Sequence, residues 1–222
     1  MRILVIEDEP VLALHLQQTL EAAGFAVDVA YDGEEGWHLG DTEPYDAAVL
    51  DLGLPKIDGV TILQRWREAG RGLPVLILTA RSRWSEKMAG FQAGADDYMT
   101  KPFEMDEVVY RLRALIRRAA GHAQPELNCG PLRLDTLAGR FSLDGVPLQL
   151  TAQEFRILAY LMHHAGTVVS RTELMEHVYD RHFDNDSNVL EVLIGRIRRK
   201  LKADLIHTVR GLGYRLADEV GA

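Results

Sequence analysis

The chain of 222 residues has a single cysteine, lacks a long hydrophobic run, and carries no glycine-rich turn after its first apolar segment. Each absence excludes something. One cysteine, Cys129, cannot close an intramolecular disulfide, which suits a reducing compartment and predicts a cytoplasmic protein. The residue itself reads as a small, semi-buried side chain near a strand rather than a reactive thiol. No stretch approaches the ~20 apolar residues a membrane-spanning helix requires, and acids at Glu7 and Asp8 interrupt the apolar start too early for a signal peptide. The first apolar run ends in Glu7-Asp8-Glu9-Pro10, which disfavours a nucleotide-binding module built on a phosphate loop. What remains is a chain with 47% hydrophobic residues, enough for packed cores and long enough for two domains.

Five apolar runs in the first half read as strands buried on both faces: 2–6, 26–30, 46–50, 74–78 and 97–100. Helical periodicity lies between them, with Leu12, Leu16, Leu20 and Ala23 on one face of the first stretch and Val60, Ile62, Leu63 and Trp66 on one side of the third. This alternation predicts a doubly wound parallel α/β sheet with right-handed crossovers, whose crevice lies outside the carboxyl ends of the strands. The residues at those ends are Glu7 and Asp8, then Asp51, Thr79 and Lys101.

Taken singly, each has an ordinary reading. Glu7 to Glu9 could be the acidic first turn of a helix ahead of Pro10, Asp51 a loop or N-cap acid, Thr79 a strand end, and Lys101 a solvated charge. Together they define a chemistry. Clustered carboxylates repel one another unless a cation joins them, and hard oxygen donors at an open site suit Mg²⁺. A carboxylate oxygen is a competent nucleophile for phosphorus, and Mg²⁺, a lysine and a hydroxyl are suitable partners for a phosphoryl group. A cis bond at Lys101-Pro102 would aim the lysine into the crevice; the sequence leaves both isomers open.

The set Glu7-Asp8, Asp51, Thr79-Ala80 and Lys101-Pro102-Phe103 closely resembles the receiver domain of two-component response regulators, over about residues 1–118. The resemblance implies that Asp51 accepts a phosphoryl group from a sensor histidine kinase, with Glu7, Asp8, Asp51 and the Gly53 carbonyl holding Mg²⁺. It also implies a switch in which Thr79 meets the phosphoryl group and Tyr98 turns inward. Without the resemblance, Tyr98 reads as a strand residue over the core with a wet hydroxyl.

A boundary falls near residue 120, where 119–126 contains Gly121 and Pro125 and reads as a linker. Acid concentrates before it: residues 1–120 carry 20 acidic and 13 basic side chains, and 121–222 carry 13 and 12. Beyond the linker, 128–150 alternates apolar and polar residues with turn signals at 137–139 and 144–145, predicting a small antiparallel sheet. Thr151 with Glu154 forms a capping box opening a helix with Phe155, Leu158, Ala159 and Met162 on its apolar face. Ser170 caps a second helix. A third, over about 188–202, places Val189, Val192, Leu193, Ile197 and Leu201 on one side and carries Arg196, Arg198, Arg199, Lys200 and Lys202. Charge alone fits either a solvated helix with a cationic last turn or a helix for the DNA major groove. Two short apolar runs around Gly211 then predict a closing hairpin, so the second half is an α+β winged helix-turn-helix domain.

This half, over about 127–218, resembles the OmpR/PhoB-type effector domain, through the wing Thr208-Val209-Arg210-Gly211-Leu212-Gly213-Tyr214 and the helix segment Arg196-Ile197-Arg198. The resemblance implies that Arg196 contacts bases, that Asn188, Arg198 and Arg199 contact the duplex with phosphate roles included, and that Arg210 is the wing contact. Two departures concern base preference: Leu193 stands where many relatives have a polar residue, and Gly195 where they have a larger or hydroxyl one. A glycine inside a helix costs about 1 kcal/mol relative to alanine, which hints that DNA or a neighbouring helix comes close.

The resemblance further implies a symmetric receiver homodimer through the last strand of the sheet and the helices on either side of it, with Lys87 facing Glu107, Asp97 facing Arg111, and Asp96 facing Arg118. These also read as ordinary surface charge. Exposed pairs of this kind are worth about 0–1 kcal/mol each, so they would specify faces more than supply affinity. The implied partners are the kinase, promoter DNA and, through the loop 179–187, RNA polymerase, with no membrane contact and no enzymatic turnover. The rival is a Mg²⁺-dependent phosphatase with an aspartate nucleophile; that class wants an acid two residues after the nucleophile, and the position here is Gly53.

Overall fold

The computed structural model describes residues 1–80, 88, 90–180 and 189–218. They form two compact units, Arg2–Ala119 and, apart from Met1, Ala120–Ala222.

In the first unit the elements are β1 (Arg2–Ile6), α1 (Pro10–Ala22), β2 (Ala26–Ala30), α2 (Gly33–Thr42), β3 (Ala47–Leu50), α3 (Gly59–Glu68), β4 (Val75–Thr79), β5 (Asp97–Thr100) and α4 (Met105–Ala119). The strands form one parallel sheet in the order β2-β1-β3-β4-β5. β1, β3 and β4 are buried at every position, as a sheet covered on both faces requires. Glycines let helix backbones approach the core: a Cβ at Gly36 would lie 2.6 Å from the Ile6 side chain, and one at Gly40 would lie 2.1 Å from Trp66. Trp66 is fully buried and donates its indole N–H to the Trp37 carbonyl at 3.1 Å.

A buried ion pair sits at the start of β1. Arg2, 3% exposed, donates its Nε to Asp28 at 2.7 Å and Nη1 to Glu43 at 3.1 Å, and its guanidinium lies 4.7 Å from the Tyr45 ring centroid. Burial pulls the Arg2 pKa down, but Asp28, Tyr45 and Glu43 together outweigh it and the net shift is upward. Burial and the Asp28 charge together push the Tyr45 phenol well above its usual range.

The second unit starts with a four-stranded antiparallel sheet, β6 (Glu126–Cys129), β7 (Leu132–Asp135), β8 (Arg140–Leu143) and β9 (Val146–Pro147). Its last turn is closed by Asp144 and Gly145, both at positive φ. Three helices follow: α5 (Ala152–His163), α6 (Arg171–Val178) and α7 (Val189–Leu201), with β10 (Val168–Ser170) before α6. Both capping boxes form, Thr151 with Glu154 and Ser170 with Glu173. Phe141 meets Phe155 edge to face at 5.5 Å, joining the sheet to α5, and the Tyr160 hydroxyl donates to Glu173 at 3.0 Å, joining α5 to α6. β11 (Ile206–Val209) and β12 (Gly213–Leu216) close the chain as a hairpin, and β10 pairs with β12 in the order β10-β12-β11. Gly213 is required there, because a Cβ would fall 2.0 Å from the Val169 carbonyl oxygen.

Candidate functional site

Four strand ends meet at one edge of the parallel sheet. Glu7 follows β1, Asp51 follows β3, Thr79 ends β4, and Lys101 follows β5, with a cis bond between Lys101 and Pro102. Lys101 Nζ lies 2.7 Å from Asp51 Oδ2 and 2.8 Å from Glu7 Oε2. Asp51 Oδ1 accepts from the backbone N–H of Leu52 at 2.6 Å and of Gly53 at 3.3 Å, so the backbone orients the carboxylate. Glu7, Asp51 and Thr79 are buried, whereas Asp8 is exposed.

The electrostatics follow from that burial. Desolvation raises the Glu7 pKa and the Asp51 charge adds to it, against the lowering effect of Lys101. Burial pulls Lys101 down, but its bonds to Asp51 and Glu7 prevail and hold it fully cationic. One oxygen from each of Glu7, Asp8 and Asp51 can be chosen so that all lie within 4.8 Å of one another. This all-oxygen, partly exposed donor set fits a hard divalent cation, which would relieve the mutual repulsion of the acids.

The loop after Asp51 depends on a residue the sequence reading did not single out. A Cβ at Gly59 would lie 2.3 Å from the Asp51 carbonyl oxygen, so only glycine lets α3 start this close. Asp58 caps that helix by accepting from Thr61 N–H at 3.1 Å. The Asp58-Gly59 pair was the available signal. Lys56 spans the mouth to Asp32 at 2.8 Å and Glu34 at 3.4 Å.

Tyr98 is half-buried, packs against the core cluster and lies 6.2 Å from Phe91 between ring centroids. The charged residues expected at a dimer face have partners within the chain. Arg111 binds Asp97 at 2.8 Å and Glu107 at 2.5 Å, and Asp96 accepts from Arg67 at 3.1 Å and from Val75 N–H at 2.8 Å. Arg118 lies in the last turn of α4, and Lys87 falls outside the described residues.

In the second unit α7 sorts its basic side chains by direction. Arg198 donates Nε and Nη2 to the Ile206 carbonyl at 2.9 and 2.7 Å, and Nη2 to the Thr208 hydroxyl at 2.8 Å, bracing the helix against the β11–β12 hairpin. Lys200 Nζ reaches the Gln149 carbonyl at 2.9 Å and the buried Glu154 at 2.6 Å, bracing it against the start of α5. Arg196, Arg199 and Arg210 are exposed; Asn188 lies outside the described residues, as does most of the loop 179–187.

The apolar side of α7 differs from the sequence expectation. Leu190, Leu193, Ile194, Ile197 and Leu201 are buried, whereas Val192 is 50% exposed. Leu193 is thus a core residue at 3% exposure.

Glu154 carries a testable pH dependence. Burial raises its pKa, but Lys200 and the Thr151 N–H outweigh this, and the net shift is downward. An acid held below its unfolded value contributes stability above about pH 4.3, and that contribution is lost as pH falls through the folded pKa. Glu154→Gln is expected to cost the second unit about 1–3 kcal/mol at neutral pH. It should also flatten the acid limb, as read by thermal melts across an acid-to-neutral pH series.

Comparison with known proteins agrees with both units. Residues 3–113 match the family described as response regulator receiver domain, and residues 145–216 match transcriptional regulatory protein, C terminal. The chain is 45% identical over 218 residues to the two-component response regulator PhoP of Pseudomonas aeruginosa, covering 96% of this chain and 97% of that protein. It is 44% identical over 219 residues to the transcriptional regulatory protein QseB of Escherichia coli O157:H7, covering 99% and 100%. Among solved structures, a Francisella response regulator 1452 receiver domain is similar at TM-score 0.52 and 36% identity, over 53% of this chain and 98% of that one.

Proposed function

Since the chain belongs to the OmpR/PhoB family of response regulators, phosphorylation-controlled transcriptional regulators with a receiver and a winged-helix DNA-binding domain, we propose that Asp51 is its phosphoacceptor. The observation carrying this reading is the contact of Lys101 Nζ with Asp51 and Glu7, a geometry in which one cation from β5 neutralises acids from β1 and β3. A histidine kinase supplies the phosphoryl group. Asp51 Oδ2, on the side facing Lys101, attacks phosphorus, and the kinase imidazole leaves with the electron pair of its P–N bond.

Receiver domains bind Mg²⁺ at an acidic site, and Glu7, Asp8, Asp51 and the Gly53 carbonyl are the residues that would hold it here. Bound there, Mg²⁺ supplies neutralisation of phosphoryl oxygens. Lys101 offers a phosphoryl oxygen the ammonium that now binds Asp51, and Thr79 offers a hydroxyl donor, drawing Tyr98 into the space Thr79 leaves.

The output runs through a homodimer. Lys87, Asp96, Asp97, Glu107, Arg111 and Arg118 would pair across a two-fold axis, with Asp96, Asp97, Glu107 and Arg111 giving up their internal pairs, an exchange that selects the face more than it adds energy. Two winged helices then occupy repeated promoter half-sites by effective concentration. Arg196 and Arg199 face the duplex from α7 and Arg210 from the wing, with Arg198 at the helix flank and Asn188, just before the helix in sequence, as a further contact. RNA polymerase is the downstream partner and the cytoplasm the compartment. Among the described residues no helix is long and apolar enough to cross a membrane.

The chain carries out no turnover of its own on this reading, because Gly53 offers no acid to a leaving group or water. Acetyl phosphate with Mg²⁺ separates the readings. The expected result is about one phosphoryl group per chain, seen by intact mass, together with dimer formation by light scattering. Steady release of phosphate far beyond one equivalent would support the phosphatase.

A further inference from the structure

Glycines in the described helices fall into two groups. In four of the five within α1 to α7, a Cβ would lie under 3.0 Å from another atom: 1.8 Å from the Ile57 oxygen at Gly33, 2.6 Å from Ile6 at Gly36, 2.1 Å from Trp66 at Gly40, and 2.3 Å from the Asp51 oxygen at Gly59. The fold itself demands those. Gly195 is the exception: a Cβ there meets nothing within 4 Å, and no positive φ distinguishes its backbone. It sits in the middle of the 13-residue α7, where glycine weakens a helix, and among the described residues no neighbouring element approaches it.

Among the described residues nothing packs on Gly195, so the surface around it is open to an outside ligand, and its surroundings indicate the chemistry. At 3.6 residues per turn, Val192, Gly195, Arg196 and Arg199 occupy one arc of about 100°, opposite the buried stripe. Arg198 and Lys200 flank the arc, turned inward to Ile206 and Glu154. Two exposed arginines beside a half-exposed valine and a bare Cα form a surface for duplex DNA, with hydrogen-bond donors for guanine and a flat apolar floor between them.

Resting on the DNA-binding reading above, we infer that Gly195 is a specificity-determining residue: its Cα packs directly against a base-pair edge in the major groove. A side chain would hold the helix about 1.5 Å further out, taking a hydrogen bond of about 2.9 Å from Arg196 out of range. Contacts to phosphates through long, flexible side chains tolerate such a shift, because their role is charge neutralisation. Sequence-specific affinity depends on Gly195 and non-specific affinity does not.

The test compares wild type, Gly195→Ala and Gly195→Leu as full chains activated with beryllofluoride and Mg²⁺. Two duplexes serve as probes: the one that wild type enriches from a randomised pool, and the unselected pool. Gly195→Ala is expected to melt about 4–8 °C higher in the second unit, since alanine favours the helix and has room. Its affinity for the selected duplex should fall about ten- to a hundredfold, with Gly195→Leu lower still, while affinity for the unselected pool stays within about twofold. Retention of wild-type affinity for the selected duplex by both variants would overturn the inference and leave DNA binding standing. A parallel loss on both probes would also overturn it, assigning the residue to general docking. If wild type enriches no duplex, the DNA-binding reading falls and the inference falls with it.

Discussion

Replacing Asp51 by Asn is expected to abolish phosphoryl uptake from acetyl phosphate while leaving the fold intact. The amide is nearly isosteric, and its oxygen can still accept from the Leu52 N–H that now binds Asp51 Oδ1 at 2.6 Å. What is lost is the anionic oxygen facing Lys101 at 2.7 Å, and an amide is not a nucleophile for phosphorus under these conditions. Intact mass should therefore show no added phosphoryl group on Asp51→Asn, against about one per chain on wild type. Glu7 and Asp8 stand beside the same lysine and cation site, so uptake by the variant at undiminished stoichiometry would mean that another carboxylate is the acceptor.

Asp28→Ala has the largest expected effect on stability. Arg2 and Asp28 are each 3% exposed, and removing the anion leaves a guanidinium inside the sheet's packing. Breaking a buried pair by deleting one partner costs about 3–5 kcal/mol, a large part of the 5–15 kcal/mol typical of a domain. Glu43, 40% exposed at its side chain, already holds Nη1, and Tyr45 lies over the guanidinium, so the loss should fall toward the lower end. The pair itself contributes little net, since both ions were desolvated to form it. Arg2→Met combined with Asp28→Leu is accordingly expected to recover most of the loss in urea melts. A single-variant loss under about 1 kcal/mol would show that water reaches Arg2.

The first unit was legible because burial on two faces writes uninterrupted apolar runs, and because chemistry in such a sheet gathers at strand ends. β1, β2 and β5 have the expected limits, and β3 and β4 each start one residue later than expected, where Asp46 and Pro74 lie outside the ladders. The capping boxes at Thr151 and Ser170 were legible for a local reason, since both partners lie within four residues of each other. Arg2 was not legible: a charge at the start of a strand reads as solvated, and only the fold brings Asp28 across to it. Val192 was misplaced because valine is apolar and one residue from Leu193, yet it faces solvent while Leu190 and Ile194 carry the core stripe. A full helical wheel at roughly 100° per residue separates these positions, and also sets Arg198 and Lys200 apart from Arg196 and Arg199. The partners of Arg198 and Lys200 needed the structure, because Ile206 and Glu154 belong to other elements.

On the proposed function, charge at Asp51 controls DNA affinity. The direct measurement is the affinity of the full chain for its selected duplex with Mg²⁺, in the presence and absence of beryllofluoride, at one fixed salt concentration, with Asp51→Asn alongside. Wild type is expected to bind about 5- to 150-fold tighter with beryllofluoride, with no response from the variant. Equal affinity of wild type in both conditions, or an equal response from Asp51→Asn, would contradict it.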